Sequence, residues 1–247
     1  MSRPRTLVLF DVDGTLIDSQ SHILGAMEFA FNARGLVVPP ASEILAIVGL
    51  SLAEAFAQLC PEMGSQERGL LVEAYKGSFA RLRSASASPL YPGALACLDV
   101  LRDTDDIVLG IATGMSRRGL RHVLSNPDLA GRFVTTQVAD DHPSKPHPSM
   151  VLQAMAESGA ARVVMIGDTT FDMQMGRAAG LKTIGVCWGY HSKQALRARA
   201  DRTVADYAQL VPEVQTYGVR YERLGCKTIL ERRDCRPAGQ RLCDHVG

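Results

Sequence analysis

The chain has 247 residues, of which 46% are hydrophobic and 21% charged, and its formal net charge is +1 at pH 7. This composition supplies enough apolar residues for a buried core, and the balanced charge argues against nucleic acid or an anionic membrane as a partner. No apolar run approaches the roughly 18 residues that a membrane-spanning helix needs, and the run after the basic N-terminus is too short for a signal peptide. We therefore expect a cytoplasmic protein with one domain and an insertion, or with two small domains.

The first predicted element is the apolar run Thr6–Phe10, which ends at two carboxylates, Asp11 and Asp13, followed by Gly14. A short apolar run bounded by a turn signal predicts a buried strand of a parallel sheet. Ligands of such sheets bind beyond the carboxyl ends of the strands, where the two aspartates fall. Like charges this close raise each other's pKa, so the pattern predicts a metal ion, a shared proton or both.

The next segment is helical throughout and shows no strand-like alternation. Ser19 or Ser21 can cap its first helix, and Ser51 with Glu54 has the spacing of a capping box at its third. The predicted helices cover residues 19–36, 42–48, 51–61 and 66–83. We expect an all-α cap at residues 18–84, joined to the rest of the chain by a linker of small residues at 84–88.

After Pro92 and Gly93 the sequence alternates between helices and strands. Helices are predicted at 94–102, 116–124, 149–158 and 171–179, and strands at 107–112, 133–138, 162–166, 182–188 and 202–204. Such alternation implies right-handed crossovers and a parallel sheet that is covered on both faces. The predicted fold class is therefore α/β, with a Rossmann-like core at residues 1–17 and 85–217 and the inserted cap.

Polar residues follow several of these strands. Thr113 follows the strand that ends at Ala112, Lys145 lies in the loop after Val138, and the strand that ends at Ile166 leads to Asp168 and Asp172. Carboxyl ends of parallel strands meet at one edge, so these side chains should converge with the first two aspartates. Carboxylates suit Mg²⁺, and an ammonium and a hydroxyl suit the oxygens of a phosphoryl group.

Four motifs, in this order and spacing, resemble those of the haloacid dehalogenase-like superfamily, in its phosphatase branch. The resemblance is greatest to phosphoglycolate phosphatase-like proteins with a helical cap, and it covers about residues 5 to 210. The motifs are Asp11–Thr15 with Leu-Ile-Asp-Ser after it, Ala112–Gly114, Lys145–Pro146 and Gly167–Asp172. The resemblance implies a Mg²⁺-dependent phosphatase, either a monomer or a homodimer, that acts on a small phosphorylated metabolite, with 2-phosphoglycolate as the first expectation.

The resemblance also implies the chemical roles. Asp11 would be the nucleophile that forms an aspartyl-phosphate, and Asp13 would be the acid and then the base. Mg²⁺ would be held by a carboxylate oxygen of Asp11, the backbone carbonyl of Asp13 and Asp168. Asp172 would hold a metal-bound water or Lys145.

The remaining expected contacts are with the substrate. The Thr113 hydroxyl and the Lys145 ammonium would bind phosphoryl oxygens, together with the backbone at Gly14 and Gly114. Gly49, in a loop between cap helices, would make room near the active site. His22 and Arg34 on the first cap helix could meet a substrate carboxylate.

Several alternatives stay open at this stage. A haloalkanoic acid dehalogenase has no use for an acid at Asp13, whereas a phosphonatase or a sugar-phosphate mutase differs mainly in the cap. The only cap lysine is Lys76, which gives no sign of a Schiff base. A receiver-type signalling domain also combines acidic residues, a threonine and a lysine on a parallel sheet, but it needs no helical insertion. Catalytic turnover separates this non-enzyme alternative from a phosphatase.

The segment 218–247 fits none of these patterns. It is rich in arginine and contains Cys226, Cys235 and Cys243 together with His245, without the paired spacing of a zinc site. We expect a poorly ordered extension first, a docking segment second and a metal site third. The other three cysteines should be small core residues.

Overall fold

The computed structural model describes residues 5–220, so the expectations for the cysteines of the C-terminal segment lie outside the described residues. Within this part of the chain, none of the helices has the length and apolar character that crossing a bilayer requires. The strands are β1 (Thr6–Phe10), β2 (Ile107–Thr113), β3 (Phe133–Val138), β4 (Arg162–Gly167), β5 (Lys182–Val186) and β6 (Arg202–Val204). The helices are α1 (Gln20–Asn32), α2 (Ala41–Ala46), α3 (Leu52–Leu59), α4 (Ser65–Ala85), α5 (Ala94–Arg102), α6 (Arg117–Val123), α7 (Ser149–Ser158), α8 (Thr170–Ala178), α9 (Lys193–Arg197) and α10 (Tyr207–Arg220).

The six strands form one parallel sheet in the order β3-β2-β1-β4-β5-β6, which confirms the predicted α/β fold. Phe10 at the end of β1 is in register with Ile111 of β2 and Ile166 of β4. The residues that follow these three positions therefore lie side by side at the carboxyl edge of the sheet. The strand order reverses between β1 and β4, and such a switch point is where open α/β sheets bind their ligands.

Alternate residues of β1 point into two different cores. Val8 and Phe10 belong to one buried cluster, which includes residues of α5 and α10. Leu7 and Leu9 belong to another, which includes residues of α7 and α8. Because both faces of β1 are covered, its sequence is a continuous apolar run and not an alternating one.

Helices α1 to α4 pack around a separate apolar cluster that includes Met27, Phe31, Phe56 and Leu71. The long helices α1 and α4 form its framework, and the aromatic rings of Phe31 and Phe56 stack with their centroids 6.3 Å apart. We call the part of the chain from α1 to α4 the cap and the remainder the core. The loop between α2 and α3 passes over the carboxyl ends of the strands.

The predicted N-cap positions of α1 and α3 are right, but the expected side-chain capping bonds are not formed. Ser19 is the N-cap residue of α1, but its hydroxyl makes no capping bond. Ser51 makes no side-chain capping bond either, so Glu54 completes no capping box. The Ser19 hydroxyl donates to Asp13 instead, whereas the backbone N–H of Ser51 donates to Ser144 Oγ at 2.8 Å.

Two helices, α9 and α10, were not predicted. Helix α9 has only five residues, too few for a periodic pattern. Helix α10 buries Tyr207, Leu210 and Val214 at helical spacing, but Pro212 lies inside it and suggests an interruption. The predicted extension of β5 to residue 188 is also wrong, since the strand ends at Val186.

Candidate active site

The strand ends bring the predicted polar residues together at one edge of the sheet. Asp11 follows β1, Thr113 ends β2 and Asp168 follows β4, and each of these residues is at least 99% buried. Lys145 reaches the same place from the loop after β3, and Asp172 from the first turn of α8. Five predicted side chains thus lie in one buried cluster.

Lys145 is the cation of this cluster, and its ammonium is fully buried between two carboxylates. Nζ donates a hydrogen bond to Asp172 Oδ1 at 2.7 Å and lies at an ion-pair distance of 3.0 Å from Asp11 Oδ1. Burial alone would lower the pKa of Lys145, but the two carboxylates outweigh it and raise the pKa. Lys145 is therefore charged at neutral pH.

Asp172 is held by the protein on both of its oxygens. Oδ1 accepts from Lys145, and Oδ2 accepts from the Thr169 backbone N–H at 3.1 Å and from the Thr169 hydroxyl at 2.6 Å. The Asp172 N–H in turn donates to the Thr169 hydroxyl, which completes a capping box at the start of α8. Asp172 has little remaining capacity for a direct ligand, and its fixed position orients Lys145.

Asp11, unlike Asp172, has few polar contacts with the protein. Both of its carboxylate oxygens are buried, and apart from the Lys145 ammonium 3.0 Å from Oδ1 neither has a polar partner among the described residues. Burial raises the pKa of Asp11 to about 7, the Lys145 ammonium opposes this, and the Asp172 charge adds to it. A buried acceptor without a donor, such as Asp11 Oδ2, is unfavourable unless a ligand completes the site.

Asp168 is fixed by donors from two distant loops. The Thr15 hydroxyl donates to Oδ1 at 3.0 Å, and the Tyr190 backbone N–H donates to Oδ2 at 2.8 Å. Burial, followed by the charges of Asp11 and Asp172, raises the pKa of Asp168 well above its usual range. The group is thus a well-positioned carboxylate that needs a cation or a proton.

Glycine is required where the backbone approaches Asp168. A Cβ at Gly14 or at Gly189 would lie 2.3 Å from Asp168 Oδ2, and the φ of Gly14 is +76°. Gly14 therefore serves the close packing around Asp168, and it does not line the cavity that opens from the site.

A divalent cation fits this set of carboxylate ligands. Carboxylate oxygens of Asp11, Asp168 and Asp172 lie within 4.8 Å of one another, and all three residues are buried. Three carboxylates face one ammonium, so the buried cluster has an excess of negative charge. Oxygen ligands of this kind are those that Mg²⁺ prefers.

Asp13 lies beside this cluster, and its carboxylate faces the cap. It accepts a short hydrogen bond from the Ser19 hydroxyl, whose oxygen lies 2.9 Å from the Tyr190 hydroxyl. Burial raises the pKa of Asp13 to about 6, and the Ser19 hydrogen bond opposes the rise. The Asp13 side chain is thus poised to hold or release a proton near neutral pH.

A cavity of about 190 Å³ opens from these residues toward the cap. Its floor includes Asp11, Asp13 and Thr113, and its rim includes Gly49 and Gly114. The Thr113 hydroxyl accepts from the Met115 N–H at 3.2 Å, so its own proton is available for a ligand. Lys145, which was also predicted to bind substrate, is buried and does not line the cavity.

His22 and Arg34, the polar residues suggested for a substrate carboxylate, do not line the cavity. The ring nitrogens of His22 lie 2.7 Å from Ser88 Oγ and 3.1 Å from Ser86 Oγ, at the end of the cap. Arg34 is exposed. The arginines that line the cavity are Arg83 and Arg118.

The sequence did not single out several residues that hold the site. Ser19 was assigned to a helix cap, and Thr15 was part of the first motif without a role of its own. No local pattern marked Tyr190 or Arg83. The indole N–H of Trp188 also supports the loop after β1, since it donates to the Thr15 carbonyl oxygen at 3.1 Å.

Comparisons with known proteins identify similar sequences and structures. A sequence profile of haloacid dehalogenase-like hydrolases matches residues 8–186. "Probable phosphatase IndB" of Dickeya dadantii is 34% identical over 208 residues, which cover 82% of this chain and 90% of the relative. A phosphoglycolate phosphatase of Agrobacterium fabrum is 26% identical over 219 residues, which cover 85% and 93%. A solved hydrolase structure from Pseudomonas syringae has a TM-score of 0.76 at 25% identity and covers 86% of this chain and 99% of that one.

Proposed function

Because the chain belongs to the haloacid dehalogenase-like hydrolases and is a phosphatase, we propose that it is a Mg²⁺-dependent phosphomonoesterase acting through an aspartyl-phosphate on Asp11. The proposed substrate is a small phosphorylated metabolite, for which 2-phosphoglycolate is the reference compound. The observation that carries the proposal is the buried Asp11 carboxylate, whose Oδ1 pairs with the Lys145 ammonium while Oδ2 has no partner among the described residues.

Asp11 acts as the nucleophile in the first half of the reaction. One of its carboxylate oxygens forms a bond to phosphorus while the bond between phosphorus and the leaving alkoxide breaks. Asp11 Oδ2, which has no hydrogen-bond partner among the described residues, is available for this attack. The Lys145 ammonium and the Thr113 hydroxyl bind the phosphoryl oxygens and stabilise their charge.

Asp13 transfers the proton in both halves. Its protonated form gives the proton to the leaving alkoxide, and its carboxylate then takes a proton from the water that attacks phosphorus. The bond between phosphorus and Asp11 breaks in this second step, which releases inorganic phosphate and restores the free carboxylate. A pKa of about 6 makes both forms of Asp13 accessible near neutral pH.

Asp11 and Asp168 would hold Mg²⁺ directly, together with the Asp13 backbone carbonyl, and Asp172 would act through a bound water or through Lys145. When bound, the cation neutralises the negative charge that the carboxylates and the phosphoryl group place at one site. The hydrogen bonds on both Asp172 oxygens support its indirect role.

The test is the Asp11→Asn variant, assayed for release of inorganic phosphate from 2-phosphoglycolate and a generic phosphate ester with and without Mg²⁺. We expect wild-type turnover that requires the cation, and a loss of at least about a thousandfold in the variant, since nucleophile removal costs this much or more. Asp105→Asn is the control, because Asp105 is exposed near the opposite end of the sheet. Wild-type-like turnover in Asp11→Asn rejects the nucleophile assignment, and stoichiometric phosphorylation without turnover favours a receiver-type role.

The phosphonatase alternative gains no support from the cap lysine. Lys76 lines the cavity, but its Nζ pairs with Glu73 at 2.8 Å and its side chain is 50% exposed. A Schiff-base lysine is desolvated in an apolar pocket or placed beside another cation. A half-exposed ammonium paired with a carboxylate is in neither environment.

A further inference from the structure

The cavity above the proposed catalytic residues has an apolar wall, which the cap provides. The wall combines side chains of three cap helices, α1, α3 and α4, and these residues are Ile23, Met27, Leu52, Ala55, Tyr75 and Phe79. The apolar side chains Val48 and Leu50 of the cap loop extend the wall toward the core. The polar floor with Asp11 and Asp13 is therefore roofed by hydrocarbon and aromatic surface.

Such a wall does not suit the alcohol part of 2-phosphoglycolate. That compound has one methylene group between its phosphate and its carboxylate, and a carboxylate placed against hydrocarbon loses its hydration without gaining a partner. An apolar group in the same place gains from the burial of its surface. The volume is also sufficient, since an apolar protein cavity of about 150 Å³ takes up benzene and this cavity measures about 190 Å³.

Beside the apolar wall the cavity has a cationic side. Arg83 at the end of α4 lines it together with Arg118 of α6, and neither has a hydrogen bond or an ion pair with a carboxylate in residues 5–217. The Arg83 Nε is buried without an acceptor, while its guanidinium lies 5.8 Å from the centroid of the Phe79 ring. Burial, followed by the neighbouring Arg118 charge, lowers the pKa of Arg83, and the Asp13 charge opposes this. An anionic acceptor at the guanidinium would stabilise its charged form further.

We propose that the substrate is the phosphomonoester of a hydroxy acid with an apolar, ring-sized body, bound between Met27 and Phe79, and that its carboxylate binds Arg83. This inference rests on the proposed phosphatase function and narrows its substrate class. The phosphoryl group lies on the floor at Asp11, the body fills the apolar wall, and the carboxylate meets the cationic side. An aryl or branched alkyl body meets this description, whereas a two-carbon acid leaves the wall uncovered.

The test compares two phosphorylated hydroxy acids that differ only in the apolar body, phospholactate and its phenyl-substituted analogue phospho-3-phenyllactate. One methylene group in an apolar pocket changes specificity by about 10- to 200-fold, so we expect kcat/KM to be at least about 100-fold higher for the phenyl compound. 2-Phosphoglycolate extends the series to the smallest acid and should be the poorest substrate. Equal values, or a preference for phospholactate, would overturn the proposal.

Variants locate the preference within the cavity. Phe79→Ala should reduce the ratio of the two kcat/KM values about tenfold or more, because it removes an aromatic part of the wall. Phe29→Ala is the matched control on the cap, since Phe29 is 45% exposed and does not line the cavity. Arg83→Gln should reduce the preference for the phenyl acid over its carboxamide, and a preference that persists undiminished rejects the carboxylate contact.

Binding measurements separate this inference from the catalytic proposal. Calorimetry on Asp11→Asn enzyme with Mg²⁺ gives the Kd of both acids without turnover. A Kd that is at least tenfold lower for the phenyl compound supports the inference. If the wild-type enzyme then hydrolyses neither acid, only the proposed function is contradicted. Hydrolysis of both acids with equal Kd values keeps the phosphatase assignment and rejects the apolar substrate class.

Discussion

Gly114 lies where the core meets the cap loop, and replacing it with alanine should hold the cap away from the catalytic residues. A Cβ at this position would lie 2.5 Å from the Gly49 carbonyl oxygen and 2.8 Å from the Leu50 carbonyl oxygen. Both are backbone atoms and cannot rotate away. Since ordinary contact begins at 3.4 Å, the loop must retreat by about 0.9 Å from this Cβ.

A displacement of about 1 Å can reduce catalysis about 100-fold, which corresponds to about 2.7 kcal/mol in activation free energy. We therefore expect Gly114→Ala to lower kcat/KM about 100-fold in a phosphate-release assay with Mg²⁺. Its Tm, measured by calorimetry, should change by only a few degrees, because cap and core keep their separate apolar clusters.

Gly119→Ala provides the control, because Gly119 also lines the cavity but a Cβ there would meet Ser116 Oγ at an ordinary 3.4 Å. It should retain wild-type kcat/KM. If Gly114→Ala keeps more than a third of the wild-type value, the contact does not set the closed geometry and the reasoning is refuted.

Three further predictions concern the buried cluster. Wild-type protein should gain about 2.7 kcal/mol in unfolding free energy at Mg²⁺ concentrations 100 times Kd, and Asp168→Asn should lose this gain in a calorimetric titration; an equal gain contradicts the metal assignment. Lys145→Met should lower kcat about 100- to 1,000-fold, the usual loss of an electrostatic contact to the transition state. Lys182 lies in an exposed ion pair, so Lys182→Met should leave kcat unchanged. Similar kcat values for both variants refute the role of Lys145 in stabilising the phosphoryl charge. Ser19→Ala removes a hydrogen bond that opposes the rise in the pKa of Asp13, so the basic limb of the kcat/KM profile should move to higher pH. An unchanged or lower basic limb contradicts this contact.

The sequence predicts those parts of the site that follow from strand geometry. Asp11 and Asp168 come directly after apolar runs, and parallel strands place their carboxyl ends at one edge, so residue type and position sufficed to bring them together. Lys145 required the order of the motifs as well, because a loop lysine has no positional signature of its own.

The supporting contacts could not be predicted, because they join positions far apart in the chain. Thr15 and Asp168 are separated by 153 residues, and Ser19 and Tyr190 by 171. Ser19 shows a second difficulty, since its position favours a helix cap while its hydroxyl bonds to Asp13, only six residues away. Local propensity marks the helix terminus but does not show which nearby acceptor the serine hydroxyl takes.

Trp188 is a fluorescent reporter of the loop after β1, to which Thr15 belongs. It is the only tryptophan of the chain, and its indole N–H donates to the Thr15 carbonyl oxygen, while the Thr15 hydroxyl donates to Asp168. A change in the charge or position of Asp168 is therefore two hydrogen bonds away from the single strong fluorophore. Intrinsic fluorescence, recorded in a rapid-mixing experiment without any label, should follow cation binding and loop rearrangement in real time.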